Sequence, residues 1–392
     1  MRNIIKRTTC RVCDAGPLEK IYSLGNLYVS TFLDKDAALG PALRAPLSLV
    51  ICPKCTLVQL EHTAPQELMY SSHYWYRSAL SPVISADLRE IARVAAEEVG
   101  GLKTGDKVLD IGANDGTLLA AYPDTVQKFG CEPAKNLQDE LGKVAEVIPG
   151  FWKAEDFMGR KAKVVTAIGM FYDMEDPNQF IADVAKVLDQ DGVFIAQLMT
   201  LKHMLDRADV GNICHEHIEY YSYRSLVELF ERNGLEIYKV EENSINGGSY
   251  RLFGRKLGTG SIQHEEPEPD FKDFIARIQR NRDKTVDYIR SQKVVGKKVY
   301  AFGASTKGNT IMQWYGLDRT LLAGAGDKSA EKVGKVCVGS LIPIVDEETA
   351  RKNADVFFVL PYAFIDHFVK NEKKWQDRGG KFLVSTPEFR VL

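Results

Sequence analysis

The sequence predicts an α/β protein: a parallel sheet wrapped by helices, with a small metal-binding module before it and a second α/β unit after it. Three observations predict this. Strand-like and helical runs alternate from about residue 107 to residue 200, as a parallel sheet requires. An apolar strand runs into a glycine turn and a helix start twice, at 107–121 and at 299–309. Two Cys-x-x-Cys pairs, Cys10/Cys13 and Cys52/Cys55, lie near the N-terminus with 38 residues between them.

At 392 residues the chain is too long for one average core, so two or three domains are expected. The expected division is 1–75, 76–260 and 261–392. The chain is 45% hydrophobic and 27% charged, a globular composition. A net charge of −2 argues against a surface built for a phosphate backbone. No apolar run reaches the length that spans a bilayer. Met1 to Arg7 is followed by no apolar segment, so no secretory signal is expected. A cytoplasmic location and reduced thiols are the expectation.

In a reducing compartment the two Cys-x-x-Cys pairs read as ligands. Each pair sets two thiolates on one side of a metal, and two pairs complete a tetrahedral zinc site. The alternative, a redox dithiol, usually follows a strand and opens a helix, whereas Pro53 and Lys54 make the second pair a knuckle. Four cysteine ligands leave no open position, so one structural zinc per chain is expected.

Residues 70–78 follow, an aromatic and polar stretch that includes Tyr70, His73, Tyr74, Trp75, Tyr76 and Arg77. It reads either as a packed linker or as a wall of the active site, with tyrosine hydroxyls and Arg77 facing a polar substrate. A helix is expected from Ser81 to Gly100, with Ile84, Leu88, Ile91 and Ala95 on one face. Strands are expected at 107–111, 126–131, 164–168 and 192–198, with a helix from Asn178 to Leu188. Runs 235–241 and 249–255 flank Asn246-Gly247-Gly248, a hairpin turn. Residues 263–269 read as a surface connection and Phe271 to Gln292 as a helix. The second α/β unit begins near Lys297, with further strands at 356–360 and 381–385. Its turn, Gly303-x-Ser305-x-x-Gly308 with Lys307, lacks a P-loop ending. It is open to two readings: an anion site at a helix start, or a purely structural turn.

The first glycine turn is the more informative. A dinucleotide loop would want glycine at 112, 114 and 117, but positions 114 and 117 are Asn and Thr. The loop suits a cofactor without phosphates. Asp110-x-Gly112-x-Asn114-x-Gly116 resembles the first motif of class I S-adenosylmethionine (SAM) methyltransferases. That resemblance implies a class I core and a turn lying under the cofactor's amino-acid end. It also implies a second acid at the end of the next strand, holding the ribose hydroxyls. Glu132 stands there, 22 residues after Asp110. The hairpin closing a parallel sheet is likewise similar to the seven-stranded methyltransferase sheet.

Between the fourth strand and the next helix lies Asn212-Ile213-Cys214-His215-Glu216-His217. Ligands bind beyond the C-terminal ends of strands in open α/β sheets, and histidine takes a proton near neutral pH. In extended backbone His215 and His217 would share one face and Glu216 the other. One histidine is expected to be a packed loop residue.

With these pieces in order, the chain resembles one family along nearly its whole length. This is the three-domain SAM-dependent sugar C-methyltransferases that act on nucleotide-linked 4-keto-6-deoxysugars. The resemblance rests on the paired Cys-x-x-Cys module, the Gly-Ala-Asn-Asp-Gly turn, the His-Glu-His loop and the Gly-Ala-Ser-x-Lys-Gly unit. It implies His217 as the base, with Glu216, His215 and Tyr76 around the reaction. It implies Asp110, Gly112, Asn114, Gly116, Glu132 and Met170 at SAM, and Cys10, Cys13, Cys52 and Cys55 on zinc. The partner implied is a nucleotide sugar, with no nucleic acid and no membrane; the oligomeric state is not fixed. Two departures border the expected acceptor pocket. Cys214 replaces the family's tyrosine, and 167–176 lacks the family's usual Asn and His. The rival readings are an O-methyltransferase on a sugar or polyol, separated by its indifference to a ketone, and a zinc-module nucleic-acid binder, separated by retention on heparin.

Overall fold

The computed structural model describes residues 4–36, 39, 43–70 and 74–392. Its middle sheet has seven strands. Their order is Leu235–Asn243, Ser249–Lys256, Leu188–Met199, Ala162–Ile168, Lys107–Ile111, Gln127–Glu132 and Glu146–Pro149. Only Ser249–Lys256 runs against its neighbours. This is the class I order, and the hairpin that closes it is the predicted one. The strand order reverses between Lys107–Ile111 and Ala162–Ile168, which leaves a crevice beyond their C-terminal ends.

The inner strands are buried on both faces, so they read as apolar runs rather than alternations. Phe171, Phe194 and Phe230 lie fully buried in one cluster with Tyr221. Each such side chain stabilises the fold by about 1.5–3 kcal/mol relative to exposure. The helix Pro82–Glu98 starts where predicted. Ser81 accepts a hydrogen bond from the N–H of Ile84, Pro82 fills the first turn, and Ile84, Leu88, Ile91 and Ala95 are buried.

Two expectations need correction. The glycine turn opens only a short 3₁₀ turn, Leu119–Ala121, and not a full helix. Pro123 follows, and a residue before proline is disfavoured in the α region. The strand Glu146–Pro149 was not predicted, being short and half exposed.

The N-terminal segment forms a four-stranded sheet in the order Glu219–Tyr220, Val58–Leu60, Arg44–Ile51 and Glu19–Tyr28. Its edge strand Glu219–Tyr220 belongs to the loop that carries His217, so that loop is hydrogen-bonded to the cysteine module. The C-terminal unit is a six-stranded sheet. Its order is Ile344–Asp346, Gly324–Asp327, Val299–Phe302, Val356–Val359, Lys381–Val384 and Arg390–Val391. The strand Gly324–Asp327 was missed because Gly-Ala-Gly-Asp shows no apolar pattern. The helix Phe271–Val294 buries Phe274, Ile278, Val286 and Ile289, the predicted stripe.

Candidate active site

The four cysteines form two matching knuckles. Asp14 and Thr56, each one residue past its pair, hold left-handed backbone. The N–H of Cys10 donates to the carbonyl of Ala15, and that of Cys52 to Leu57, both at 2.9 Å. All four thiols are buried, with Sγ separations of 3.4 Å (Cys10 to Cys55) and 3.5 Å (Cys13 to Cys52). Zn–S bonds of about 2.3 Å need tetrahedral edges only slightly longer. The site therefore fits zinc, and no other described group of four such ligands exists.

The knuckle is bolted to the methyltransferase sheet. Asn178 donates to the carbonyls of Arg11 and Val12 at 2.8 and 3.0 Å. Arg7 and Arg11 pair with Glu175 at 2.6 and 3.3 Å, and Thr63 donates to Glu175 at 2.7 Å. Glu175 in turn lines the cavity beyond the glycine turn.

That cavity holds about 410 Å³ and is lined by Gly112, Asn114, Glu132, Gly169 and Met170, among others. Gly112 has φ +74°, and a Cβ there would meet Met170 Cγ at 2.8 Å. Glu132 ends its strand as predicted. Its carboxylate accepts from the N–H of Asn114 at 2.8 Å and of Ala134 at 2.7 Å, which fixes the turn and leaves lone pairs toward the cavity. Asn114 takes left-handed backbone, accepts from the N–H of Ser78 and donates to the carbonyl of Tyr76. The turn thus fastens the aromatic stretch. Gly116 does not face the cavity. It makes room for Val144, 2.6 Å from a Cβ built there. Asp110 does not line the cavity either. It accepts from the hydroxyl of Thr166 at 2.6 Å, and burial pushes its carboxyl up to about 7. The cavity fits SAM, with a pocket floored by glycine and an acid at the second strand end.

A second cavity of about 260 Å³ adjoins it, sharing Tyr74, Tyr76, Ile168 and Gly169. Glu216, His217, Asp209 and Lys307 line this second cavity. The chain turns at the histidine loop, where the N–H of His217 donates to the carbonyl of Cys214. Glu216 and His217 therefore share the cavity, and the expected alternation fails. His215 points away. Its Nε2 meets the carbonyl of Ala45 at 3.0 Å, and burial lowers its pKa to about 4. It is the packed histidine.

His217 Nδ1 lies 3.1 Å from the carbonyl and 2.9 Å from Oδ1 of Asn212. Both are acceptors, so the proton sits on Nδ1 and Nε2 keeps a free lone pair. Burial, then Lys307, hold the imidazole neutral well below the ordinary histidine range. Glu216 accepts from the hydroxyl of Thr306 at 2.7 Å, and burial pushes it up to about 7. Lys307 donates to the Met199 thioether at 3.0 Å. Cys214, Glu216 and His217 bring three ligand atoms within 4.8 Å of one another, but the charge of Lys307 acts on all three and opposes a cation there.

In the aromatic stretch, Tyr74 and Tyr76 line both cavities. Tyr76 is 45% exposed, and burial, then the charge of Asp115, push the phenol up to about 12. Arg77 lines neither of these two cavities; it lies on a third, and pairs with Glu140 at 2.9 Å and Glu331 at 2.8 Å. Ser71, Ser72 and His73 lie outside the described residues. A third cavity, about 270 Å³, continues from the second along Tyr74, Tyr76, Ser305 and Thr306 to Asp327. Asp327 accepts from the N–H of Ala304 at 2.8 Å, repeating in the C-terminal sheet what Glu132 does in the middle one. A larger groove of about 740 Å³ under residues 261–270 holds none of these groups. Sequence reasoning missed Asp209 and Asp87. Asp209 bonds Tyr362, and Asp87 joins Arg251 and Gln197. Their partners are more than a hundred residues away, so no local pattern marks them.

A class I sheet with this cavity defines a SAM-dependent methyltransferase, and comparison with known proteins agrees. Residues 77–240 match the family described as methyltransferase domain, residues 10–70 a zinc binding domain, and residues 261–387 the C-methyltransferase C-terminal domain. The three matches follow one another along the chain without overlap. The C-methyltransferase NovU of Streptomyces niveus is 29% identical over 409 residues, covering 98% of this chain and 96% of NovU. Two solved structures align with less than half the chain. A SAM-dependent methyltransferase from Clostridium acetobutylicum is 10% identical, covering 44% of this chain and 92% of that one, with a TM-score of 0.37. Magnesium protoporphyrin IX methyltransferase from Synechocystis, with bound S-adenosylhomocysteine, is 15% identical, covering 44% and 83%, at 0.35. The fold assignment rests on the strand order and not on these two. No helix among the described residues is long and apolar enough to cross a membrane.

Proposed function

We propose that the protein methylates a carbon beside the ketone of a nucleotide-linked 4-keto-6-deoxysugar, with His217 as the general base. The carrying observation is the free Nε2 of a neutral, buried His217 in a cavity that opens into the glycine-floored one. An sp³ carbon is no nucleophile, but a neighbouring ketone makes its proton removable. His217 Nε2 takes that proton, and the C–H electron pair becomes an enolate. When bound, SAM supplies an electrophilic methyl group on a sulfonium. The enolate carbon would accept that methyl group, the S–CH₃ electron pair leaving with sulfur as S-adenosylhomocysteine. Asn212 holds the imidazole in the right tautomer and stabilises the imidazolium through Nδ1–H. Lys307, at the start of the helix Thr306–Trp314, supplies a positive charge for the enolate oxygen. The walls formed by Tyr74 and Tyr172 exclude water and hold the partners together.

The third cavity suits the nucleotide end. It offers a glycine turn at a helix start, aromatic Trp75, Phe364 and Phe368, and Asp327 at a strand end. Four reduced thiols and a nucleotide-sugar substrate both fit a cytoplasmic enzyme. A specific observation favours one second reading: Glu216, at about 7, is itself poised to accept a proton. The test is deuterium wash-in. With S-adenosylhomocysteine in place of SAM, the wild type should exchange the acceptor's α-proton in deuterated water. No exchange with a keto acceptor, together with methylation of a hydroxyl, sinks the enolate reading.

A further inference from the structure

Five acids line the SAM cavity: Glu132, Asp173, Glu175, Asp176 and Asp183. In four of them the carboxylate already accepts from named protein donors. Glu132 binds two backbone N–H groups of the turn. Glu175 holds Arg7, Arg11 and Thr63. Asp176 caps the helix Pro177–Val187 through the N–H of Gln179. Asp183 accepts from the N–H of Ala154 and from Gln179. Asp173 differs. It is 7% exposed, and although Tyr70 approaches the carboxyl and lowers its pKa, the Tyr70 hydroxyl donates to the carbonyl of Glu216 at 3.2 Å and Oδ1 has no hydrogen-bond partner among the described residues. Among the described residues no cation forms an ion pair with it; Lys307, which lines the adjoining cavity, acts on it only weakly, after Glu216 and Glu219.

A buried carboxyl oxygen without a donor costs stability unless something else satisfies it. We propose that Asp173 is the counter-ion of the methyl donor's positive charge, so that SAM completes a pair the free protein leaves open. SAM carries two positive groups: the methionyl ammonium, which can donate a hydrogen bond to Oδ1, and the sulfonium, which has no N–H or O–H and can offset only its charge. The inference concerns the cofactor alone and does not depend on the acceptor proposed above.

Without a cation, burial and then the charge of Glu216 push the Asp173 carboxyl far above the usual carboxylate range, so it stays protonated. Among the described residues the titratable groups around it are Tyr70, Tyr74, Tyr172, Cys214, Glu216, Glu219, Tyr220 and Lys307, of which only Lys307 is a cation. A bound cation favours the ionised form. Binding therefore releases up to one proton to solvent, and SAM affinity rises with pH.

Calorimetry tests this on the full zinc-loaded chain. Wild-type SAM binding, measured in buffers of different ionisation enthalpy, should release a proton. Asp173→Asn keeps the shape and removes only a carboxyl that is neutral in the free protein, so its melting temperature should hold. Its SAM affinity should fall by about 10- to 100-fold, the range for a lost bond to a charged group, and its proton release should vanish. S-adenosylhomocysteine separates the two sources, since it keeps the ammonium and lacks the sulfonium. If the sulfonium is the partner, Asp173→Asn weakens SAM and leaves S-adenosylhomocysteine alone; if the ammonium is, both weaken together. Unchanged SAM affinity in the variant overturns the proposal. So does wild-type binding without proton release, a measurement that stands even if the variant fails to fold.

Discussion

The pH–rate profile separates the two candidate bases, and the structure says how. Glu216 and His217 have ligand atoms within 4.8 Å. At that distance an effective dielectric of about 20 gives an attraction of roughly 3 kcal/mol between ionised Glu216 and a His217 imidazolium. That equals about two decades in basicity at 1.36 kcal/mol per pKa unit. Glu216 has a raised pKa of about 7, so it is neutral below that pH and ionised above it. His217 stays neutral throughout, its pKa being depressed. If His217 is the base, the single-turnover rate should climb from pH 6 to pH 8 by some part of those two decades and then level off. Glu216→Gln should flatten the profile at the low-pH rate. His217→Asn should lose about 10²–10⁴-fold at every pH while SAM affinity is kept. The assay is single-turnover methylation of a nucleotide-linked 4-keto-deoxyhexose, read by mass spectrometry. A Glu216→Gln enzyme that is dead at all pH values, beside a His217→Asn enzyme that still works, would refute this reasoning and make the carboxylate the base.

Three further outcomes are expected. Protein purified without added metal should hold one zinc per chain, and Cys10→Ser should lose it and melt at a lower temperature, read by elemental analysis and calorimetry. Gly112→Ala places a Cβ 2.8 Å from Met170 Cγ at a φ of +74°, so SAM binding should weaken at least tenfold while zinc content holds. Glu132→Ala frees two N–H groups of the cofactor turn and should cost about 1.5–3 kcal/mol in SAM binding; binding unchanged within twofold would count against its role.

Patterns with a local cause were legible in the sequence. The glycine turn, the paired cysteines, the capped helix after Ser81 and the hairpin all follow from neighbours in the chain, and the structure has them. Glu132 was legible too, because its place depends only on one strand following another. The 3₁₀ turn at Leu119–Ala121 was a misreading of a visible signal, since Pro123 stood in plain view. The histidine loop failed differently. Alternation holds for extended backbone, and the Cys214–His217 turn is imposed by packing on the cysteine module, which no local pattern encodes. Arg77 reads as a cavity residue because it is polar beside tyrosines, and it does line the third cavity, but its partners Glu140 and Glu331 come from two distant segments that no local pattern marks.

The bolting of the knuckle to Glu175 has a consequence for how such enzymes can be rebuilt. Cys10, Val12, Cys13, Cys52 and Cys55 belong to the same buried cluster as Phe194 of the catalytic sheet and Phe171 in the turn beyond it. A chain beginning at residue 76 would strip that face, leave Asn178 and Glu175 without their partners, and slacken the cofactor wall that Glu175 helps to form. Shuffling a catalytic core between relatives therefore means moving the N-terminal segment with it, or regrafting Arg7, Arg11 and Asn178 as a set. It also ties methyl transfer to metal supply: a cell short of zinc would make a chain whose methyl-donor pocket is loose, although every residue in that pocket is correct.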